Sequence, residues 1–280
     1  MKWIGLLFFI LTFSRLLSAQ QIDSFIIDSK ILNKPVHYLL YTPKMMKPHN
    51  KKVIYLLHGA GGNHQQWLQE GRIHSLLDTN TAFKNCVVVM PDAGMTYYLN
   101  DEDGHQLYED FFIQEFIPQI ERKFNCGAAK ENRIISGLSM GGFGALLYSF
   151  HHPDLFAACF AFSAGIRTND EIIRLKKEEY AKRYGSKYAD FPEKRINQHW
   201  NKNSLIYLAD TMKISDLSKT KIFIDIGDDD FLYKGNISLY LKLKERKIPF
   251  EFSIRNGEHN WVYWQESFKL ALPKMIQILY

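Results

Sequence analysis

RIISGLSMGGFGALL, residues 133–147, runs from the apolar pair Ile134 and Ile135 through Gly137-Leu138-Ser139-Met140-Gly141 into small and apolar residues at helical spacing. That order predicts a strand, a sharp turn and a helix, the arrangement of a nucleophile elbow that lifts one serine clear of the backbone. Such a turn presses strand and helix together, so side chains two places before and after the serine would collide with their neighbours. Gly137 and Gly141 remove that obstruction. The start of the helix also directs unpaired N–H groups and a partial positive charge at any anion forming beside Ser139.

Outward from the elbow the chain alternates strands and helices. Upstream, KVIYLLH (Lys52 to His58) is a continuous apolar run ending in Gly59-Ala60-Gly61-Gly62, as expected of a strand buried on both faces with a loop at its C-terminal end. Gly71 to Thr79 reads as a helix, Cys86 to Met90 as a buried strand stopped by Pro91, and Leu107 to Phe124 as a helix kinked by Pro118. Near the start, Phe25 to Ile27 and Val36 to Tyr41 flank a polar turn and read as an antiparallel hairpin at a sheet edge. Downstream, Ala157 to Phe162, Lys221 to Ile226 and Phe250 to Ile254 read as strands, and Gly235 to Arg246 and Trp261 to Leu279 as helices. The fold class is therefore α/β, a mainly parallel sheet with helices on both faces. Residues 166–218 interrupt the alternation with a long, charged, helix-prone segment, which we read as an inserted helical cap over the C-terminal edge of the sheet.

Composition narrows the class. Residues 1–19 carry Lys2, an apolar run from Trp3 to Phe13 and the small pair Ser18-Ala19, the pattern of a secretory signal peptide, so a secreted or periplasmic location is expected. That run is too short to span a bilayer, and the mature chain, 20–280, reads as one domain with no membrane span. Without Lys2 and Arg15 the chain has 33 basic and 30 acidic residues, too even a balance to suggest a nucleic-acid partner. Cys86 and Cys159 lie in apolar runs, and three cysteines without paired spacing do not make a disulfide framework.

A serine hydroxyl becomes a nucleophile when a base takes its proton, and the base needs a carboxylate to hold its tautomer. After Ser139, one strand ends in Gly227-Asp228-Asp229-Asp230 and the next in Gly257-Glu258-His259-Asn260. His259 is the candidate base, since it alone among ten histidines follows a late strand after both a serine and an acid. Counting Gly-x-x-Asp from Gly227 favours Asp230 as the acid, with Asp229 and Asp228 as alternatives. His58 precedes the serine and reads as a structural residue steadying the glycine loop. The oxyanion of a tetrahedral intermediate needs two backbone donors, for which the N–H groups of Met140 and Ala60 are the candidates, each worth roughly 3 kcal/mol. No metal and no organic cofactor is expected. HGAGGNH lacks the ending of a phosphate-binding P-loop, and Asp101 to Gly104 lacks the spacing of a calcium loop.

Taken together, LLHGAGGNHQQW, PDAG, GLSMGGFGAL, DIGDDDFL and NGEHNWVYW resemble the esterase D and feruloyl esterase group of α/β-hydrolases, the carbohydrate esterase family 1 type. The resemblance runs from about Val36 to the C-terminus. It implies an α/β-hydrolase fold with Ser139 as nucleophile, Asp230 as acid, His259 as base, and Ala60 and Met140 as oxyanion donors. The implied function is a secreted serine carboxylesterase that removes feruloyl- or acetyl-type groups from carbohydrate or small esters. An S-formylglutathione hydrolase-like thioesterase, a siderophore esterase or acyltransferase, and, more remotely, a non-catalytic carbohydrate-binding module are the alternatives. Trp67, Tyr98, Trp261 and Trp264 are candidates to line a substrate pocket, against the plainer reading of aromatic core. The oligomeric state is not legible in the sequence.

Overall fold

The computed structural model describes residues 21–43, 51–79 and 81–280, so the signal peptide expected over residues 1–19 lies outside the described residues. Eight strands form one sheet: β1 (Gln21–Ser29), β2 (Lys34–Thr42), β3 (Lys52–Leu57), β4 (Cys86–Pro91), β5 (Arg133–Leu138), β6 (Ala158–Phe162), β7 (Lys221–Gly227) and β8 (Glu251–Arg255). Their spatial order is β1-β2-β4-β3-β5-β6-β7-β8. The first hairpin and its junction with β4 are antiparallel; every other pairing is parallel. Parallel strands need crossover helices, and those helices shield both faces.

The continuous apolar runs reflect that double cover. Along β3, Val53, Tyr55 and Leu57 enter one core, and Ile54 and Leu56 enter the other. The first face is covered by a helical run at 108–124, α5 (Met140–His151) and α11 (Tyr233–Glu245); the second by α1 (Gln66–Gln69), α2 (Ile73–Thr79) and α12 (Trp261–Leu279). The sequence pattern did not separate α1 from the loop before it.

The 108–124 run is not one uninterrupted α-helix. It opens as α3 (Tyr108–Asp110), widens to a π-helix over Phe111–Phe116, and continues as α4 (Ile117–Phe124). Ile117 N–H donates to the Phe112 carbonyl, five residues back. Proline has no N–H to offer and its ring crowds the carbonyl four residues earlier, so the wider turn just ahead of Pro118 accommodates both.

Residues 166–218 contain α6 (Asn169–Ile173), α7 (Lys177–Tyr184), α8 (Gln198–Asn203), α9 (Leu205–Thr211) and α10 (Ile214–Leu217). Thr168 and Glu171 form a capping box at the start of α6. Arg195, 1% exposed, serves as an internal strut whose guanidinium donates to the carbonyls of Ile172, Ile173, Leu175, Tyr188 and Ala189. The segment packs on the first face, where α9 meets α5 and α11. It also grips the loop after β4: Asp103 accepts from Ser186 and Lys187, and His199 bonds the Asn100 carbonyl.

Candidate active site

Residue 139 sits between β5 and α5 with φ 53° and ψ −117°, a conformation that costs a non-glycine residue on the order of 1–3 kcal/mol. The surroundings hold it there. Its N–H donates to Phe162 O at 2.8 Å, and its carbonyl accepts from Gly165 N–H at 2.8 Å and from Phe143 N–H at 3.0 Å. The two glycines are required by contact. A Cβ on Gly137 would lie 2.5 Å from the Gly141 carbonyl, and one on Gly141 would lie 2.4 Å from Leu57 O.

Three side chains from three strand ends meet at this turn. His259 Nε2 is 2.9 Å from Ser139 Oγ, and His259 Nδ1 is 2.8 Å from Asp230 Oδ2. The carboxylate can only accept, so Nδ1 carries the hydrogen and Nε2 is free to accept from the serine. Asp230 is fully buried, and its Oδ1 accepts from Leu232 N–H at 2.9 Å. Burial opposes its ionisation, but the bonds from His259 and Leu232 prevail and hold the carboxyl below its ordinary range. Of the other two aspartates in the row, Asp228 is spent on Gly257 N–H and Asp229 is exposed.

The glycine loop lies beside the serine. Gly59 N–H donates to Gln66 Oε1, Gly61 N–H to Met95 Sδ and Gly62 N–H to Gly59 O. Among the described residues, neither Ala60 N–H nor Met140 N–H, the first of α5, has an acceptor. His58 fixes the loop from below, donating from Nδ1 to Gly59 O at 2.7 Å and accepting Ala93 N–H on Nε2 at 2.9 Å. This is the structural part read from its place before the serine.

Two of the four aromatic candidates do not line a pocket. Trp67 is 1% exposed, donates to Leu57 O and packs against Phe162 and Phe268; Tyr98 is fully buried and donates to His58 O. Both are core, the plainer of the two readings: large rings with one polar tip are stable inside when that tip finds a carbonyl. Trp264 is buried as well, but its ring stands edge-on to His259 at 4.8 Å, and its indole N–H donates to Ser163 Oγ. Trp261 is half-buried at the rim against Trp264. Sequence reading missed Phe231, 60% exposed and packed on the His259 ring at 4.5 Å, although its position next to Asp230 marks it. It also missed Ser163 and Gln66.

The group Asp101, Asp103 and His105 has ligand atoms within 4.8 Å of one another, but both carboxylates already accept backbone N–H groups. Among the described residues no helix is long and apolar enough to cross a membrane.

Comparison with known proteins agrees with this geometry. The Esterase family model, described as "Putative esterase", matches residues 29–275. An acetyl esterase of Caldicellulosiruptor saccharolyticus is 29% identical over 266 residues, 89% of this chain and 96% of the relative. An esterase of Mycobacterium tuberculosis is 34% identical over 247 residues, 80% of this chain and 51% of the relative. Among solved structures, a ferulic acid esterase superposes with TM-score 0.78 at 30% identity, covering 93% of this chain and all of that one. An S-formylglutathione hydrolase of Staphylococcus aureus superposes with TM-score 0.75 at 21% identity, covering 92% of this chain and all of that one, a likeness of fold. With the sheet order, the elbow and a family match over nearly its whole length, the chain belongs to the Esterase family of α/β-hydrolases and is a carboxylic ester hydrolase.

Proposed function

We propose that the chain cleaves acyl esters of carbohydrates or small alcohols through an acyl-serine intermediate, with Ser139 as nucleophile, His259 as base and Asp230 as its orienting acid. The unbroken chain of short hydrogen bonds from Asp230 through His259 to Ser139 Oγ carries this reading.

Ser139 Oγ attacks the ester carbonyl carbon as its proton passes to His259 Nε2. The C=O π pair moves onto oxygen, where the N–H groups of Ala60 and Met140 receive the charge. Collapse breaks the carbon–oxygen bond to the alcohol, which leaves with the proton from His259. Water then repeats the sequence: His259 takes its proton, the acyl group leaves as the acid and Ser139 is restored. Asp230 stays ionised throughout and balances the imidazolium.

An acetyl esterase and a ferulic acid esterase among the relatives support feruloyl- or acetyl-type acyl groups. The exposed Phe231 and the half-buried Trp261 offer an aromatic rim for such substrates. The insert shapes the opposite wall in this reading. Tyr184 packs on Tyr97, whose ring lies against Phe143, one turn beyond Ser139. Residues 1–19 support export of the protein to a secreted or periplasmic site.

The test is Ser139→Ala assayed on p-nitrophenyl acetate, methyl ferulate and S-formylglutathione. We expect a loss of about 10⁴-fold or more in kcat with the melting temperature unchanged. Retention of most of the wild-type rate would overturn the mechanism. A wild-type preference for the glutathione thioester would transfer the substrate class to the thioesterase alternative.

A further inference from the structure

The loop after β3, Gly59-Ala60-Gly61-Gly62, is mostly glycine, and such a stretch is free to take many backbone conformations. Here it is drawn into one turn. Gly62 N–H closes it on Gly59 O at 3.1 Å, and of its two central residues only Gly61 has a positive φ, 79°. That is the pattern of a type II turn, which calls for glycine in its third place. The serine is alongside, since a Cβ on Gly59 would lie 3.5 Å from Ser139 Cβ.

The peptide planes on either side of Ala60 are held by side chains from elsewhere. Before it, Gly59 N–H donates to Gln66 Oε1 at 3.1 Å, and Gly59 O accepts from His58 Nδ1 at 2.7 Å. A trans peptide sets its N–H opposite its C=O, so holding Gly59 O on one side turns Ala60 N–H to the other. After it, Gly61 N–H donates at 3.1 Å to Sδ of Met95, a half-buried residue of the loop after β4. Among the described residues, this is the one hydrogen bond from Ala60, Gly61 or Gly62 to a group outside the turn. Upstream of Ala60 the loop therefore has two ties, and downstream it has a single thioether, a weak acceptor.

We infer that Met95 is a positioning residue: by accepting Gly61 N–H, its thioether steadies the glycine loop and so keeps Ala60 N–H aimed at the oxyanion. This rests on the proposed roles of Ser139 and Ala60. A donor aimed at the oxyanion matters as charge builds on oxygen, so the loss of its support belongs to kcat and not to KM.

Two substitutions separate the acceptor from the bulk. Met95→Leu keeps an apolar side chain and removes the acceptor, whereas Met95→Gln supplies an amide oxygen and is the poorer match for packing. The full chain would be assayed on p-nitrophenyl acetate for wild type, both variants and Ser139→Ala, with inhibition by phenylboronic acid measured alongside. The boron takes Ser139 Oγ as its fourth ligand while the serine proton passes to His259, and a boron-bound oxygen then lies where the oxyanion would. We expect Met95→Leu to lose kcat by about fivefold with KM within about twofold of wild type, and its Ki for phenylboronic acid to rise by about the same factor. Met95→Gln should stay within about twofold of wild type in all three. A leucine variant at the wild-type rate, a leucine variant faster than the glutamine one, an effect confined to KM, or a loss of kcat with Ki unchanged would overturn the inference and leave the acyl-serine mechanism standing. An active Ser139→Ala would remove both.

Discussion

Asp228, Asp229 and Asp230 stand in a row after β7, and their environments sort them: the first two are exposed, Asp228 with a bond to a backbone N–H, and the third is sealed against His259. Asparagine at 230 preserves size but can present N–H hydrogens to Nδ1, which favours the tautomer that can no longer accept from Ser139. We expect Asp230→Asn to lower kcat on the order of 10⁴-fold, with Asp228→Asn and Asp229→Asn within a few-fold of wild type. Steady-state kinetics on one activated ester checks all three, and a severe loss at 228 or 229 alone would reassign the acid. The row itself was legible in the sequence, and Gly-x-x-Asp counting favoured its third member. What selects among neighbours of one residue type is burial and aim, which a string of letters does not carry. Trp67 and Tyr98 show the same limit from the other side: near the motifs in sequence, they turn inward because Leu57 O and His58 O wait there as acceptors.

At the scale of elements, the elbow tolerates no slack. α5 approaches β5 and β3 so closely that a methyl group on residue 141 would meet the Leu57 carbonyl at 2.4 Å, backbone against backbone. Gly141→Ala should cost about 3 kcal/mol, read as a lower urea midpoint, whereas Gly142→Ala, whose nearest neighbours are at 3.0 Å or beyond, should cost less. An unchanged midpoint for Gly141→Ala would mean that the helix can shift. A second tie joins α4 to β5: Glu121 accepts from Arg133 at Nε and Nη2, at 2.5 and 2.8 Å, and Tyr55 donates to the same carboxylate. Both side chains are about one-tenth exposed. Glu121→Ala strands the guanidinium and should cost about 3 kcal/mol; Glu121→Ala with Arg133→Met should recover part of it. Strands and helices were readable because burial on both faces writes itself as unbroken apolar runs, and Trp261–Leu279 and Lys52–Leu57 appear where the periodicity puts them. The π turn over Phe111–Phe116 was not, because i to i+5 bonding has no periodicity distinct from a helix with a proline in it. The short helices of residues 166–218 also blur into one charged, helix-prone segment, since their ends are set by contacts such as Arg195 with five carbonyls.

Across the whole molecule, one buried ionic knot joins the first-face helices to the insert. Glu109 on α3 accepts from His151 Nδ1 and His152 Nε2, both at 2.8 Å, and the far nitrogen of His151 bonds Lys202 O on α8. A ring whose two nitrogens both face acceptors holds both hydrogens, so His151 is an imidazolium. Burial opposes ionisation of Glu109, but the bonds from His151 and His152 outweigh it and bring the carboxyl down to about 2. For His151, burial lowers the pKa and the Glu109 bond more than restores it, leaving it raised. The signs give a window. A depressed carboxyl contributes stability that is present above its unfolded value and is lost as pH falls toward about 2. A raised imidazole contributes stability that is complete below its unfolded value and is lost as pH rises through the folded one. The knot is therefore tightest between roughly pH 4.5 and 6.5, the ordinary values of the two groups. Glu109→Gln removes one charge and leaves the shape, so the difference in unfolding free energy between wild type and variant should be greatest in that window. It should shrink toward pH 2 and again on the alkaline side. Urea melts from pH 2.5 to 9 would show this as a single hump in the difference, and a difference independent of pH would mean that the three side chains are held by packing alone.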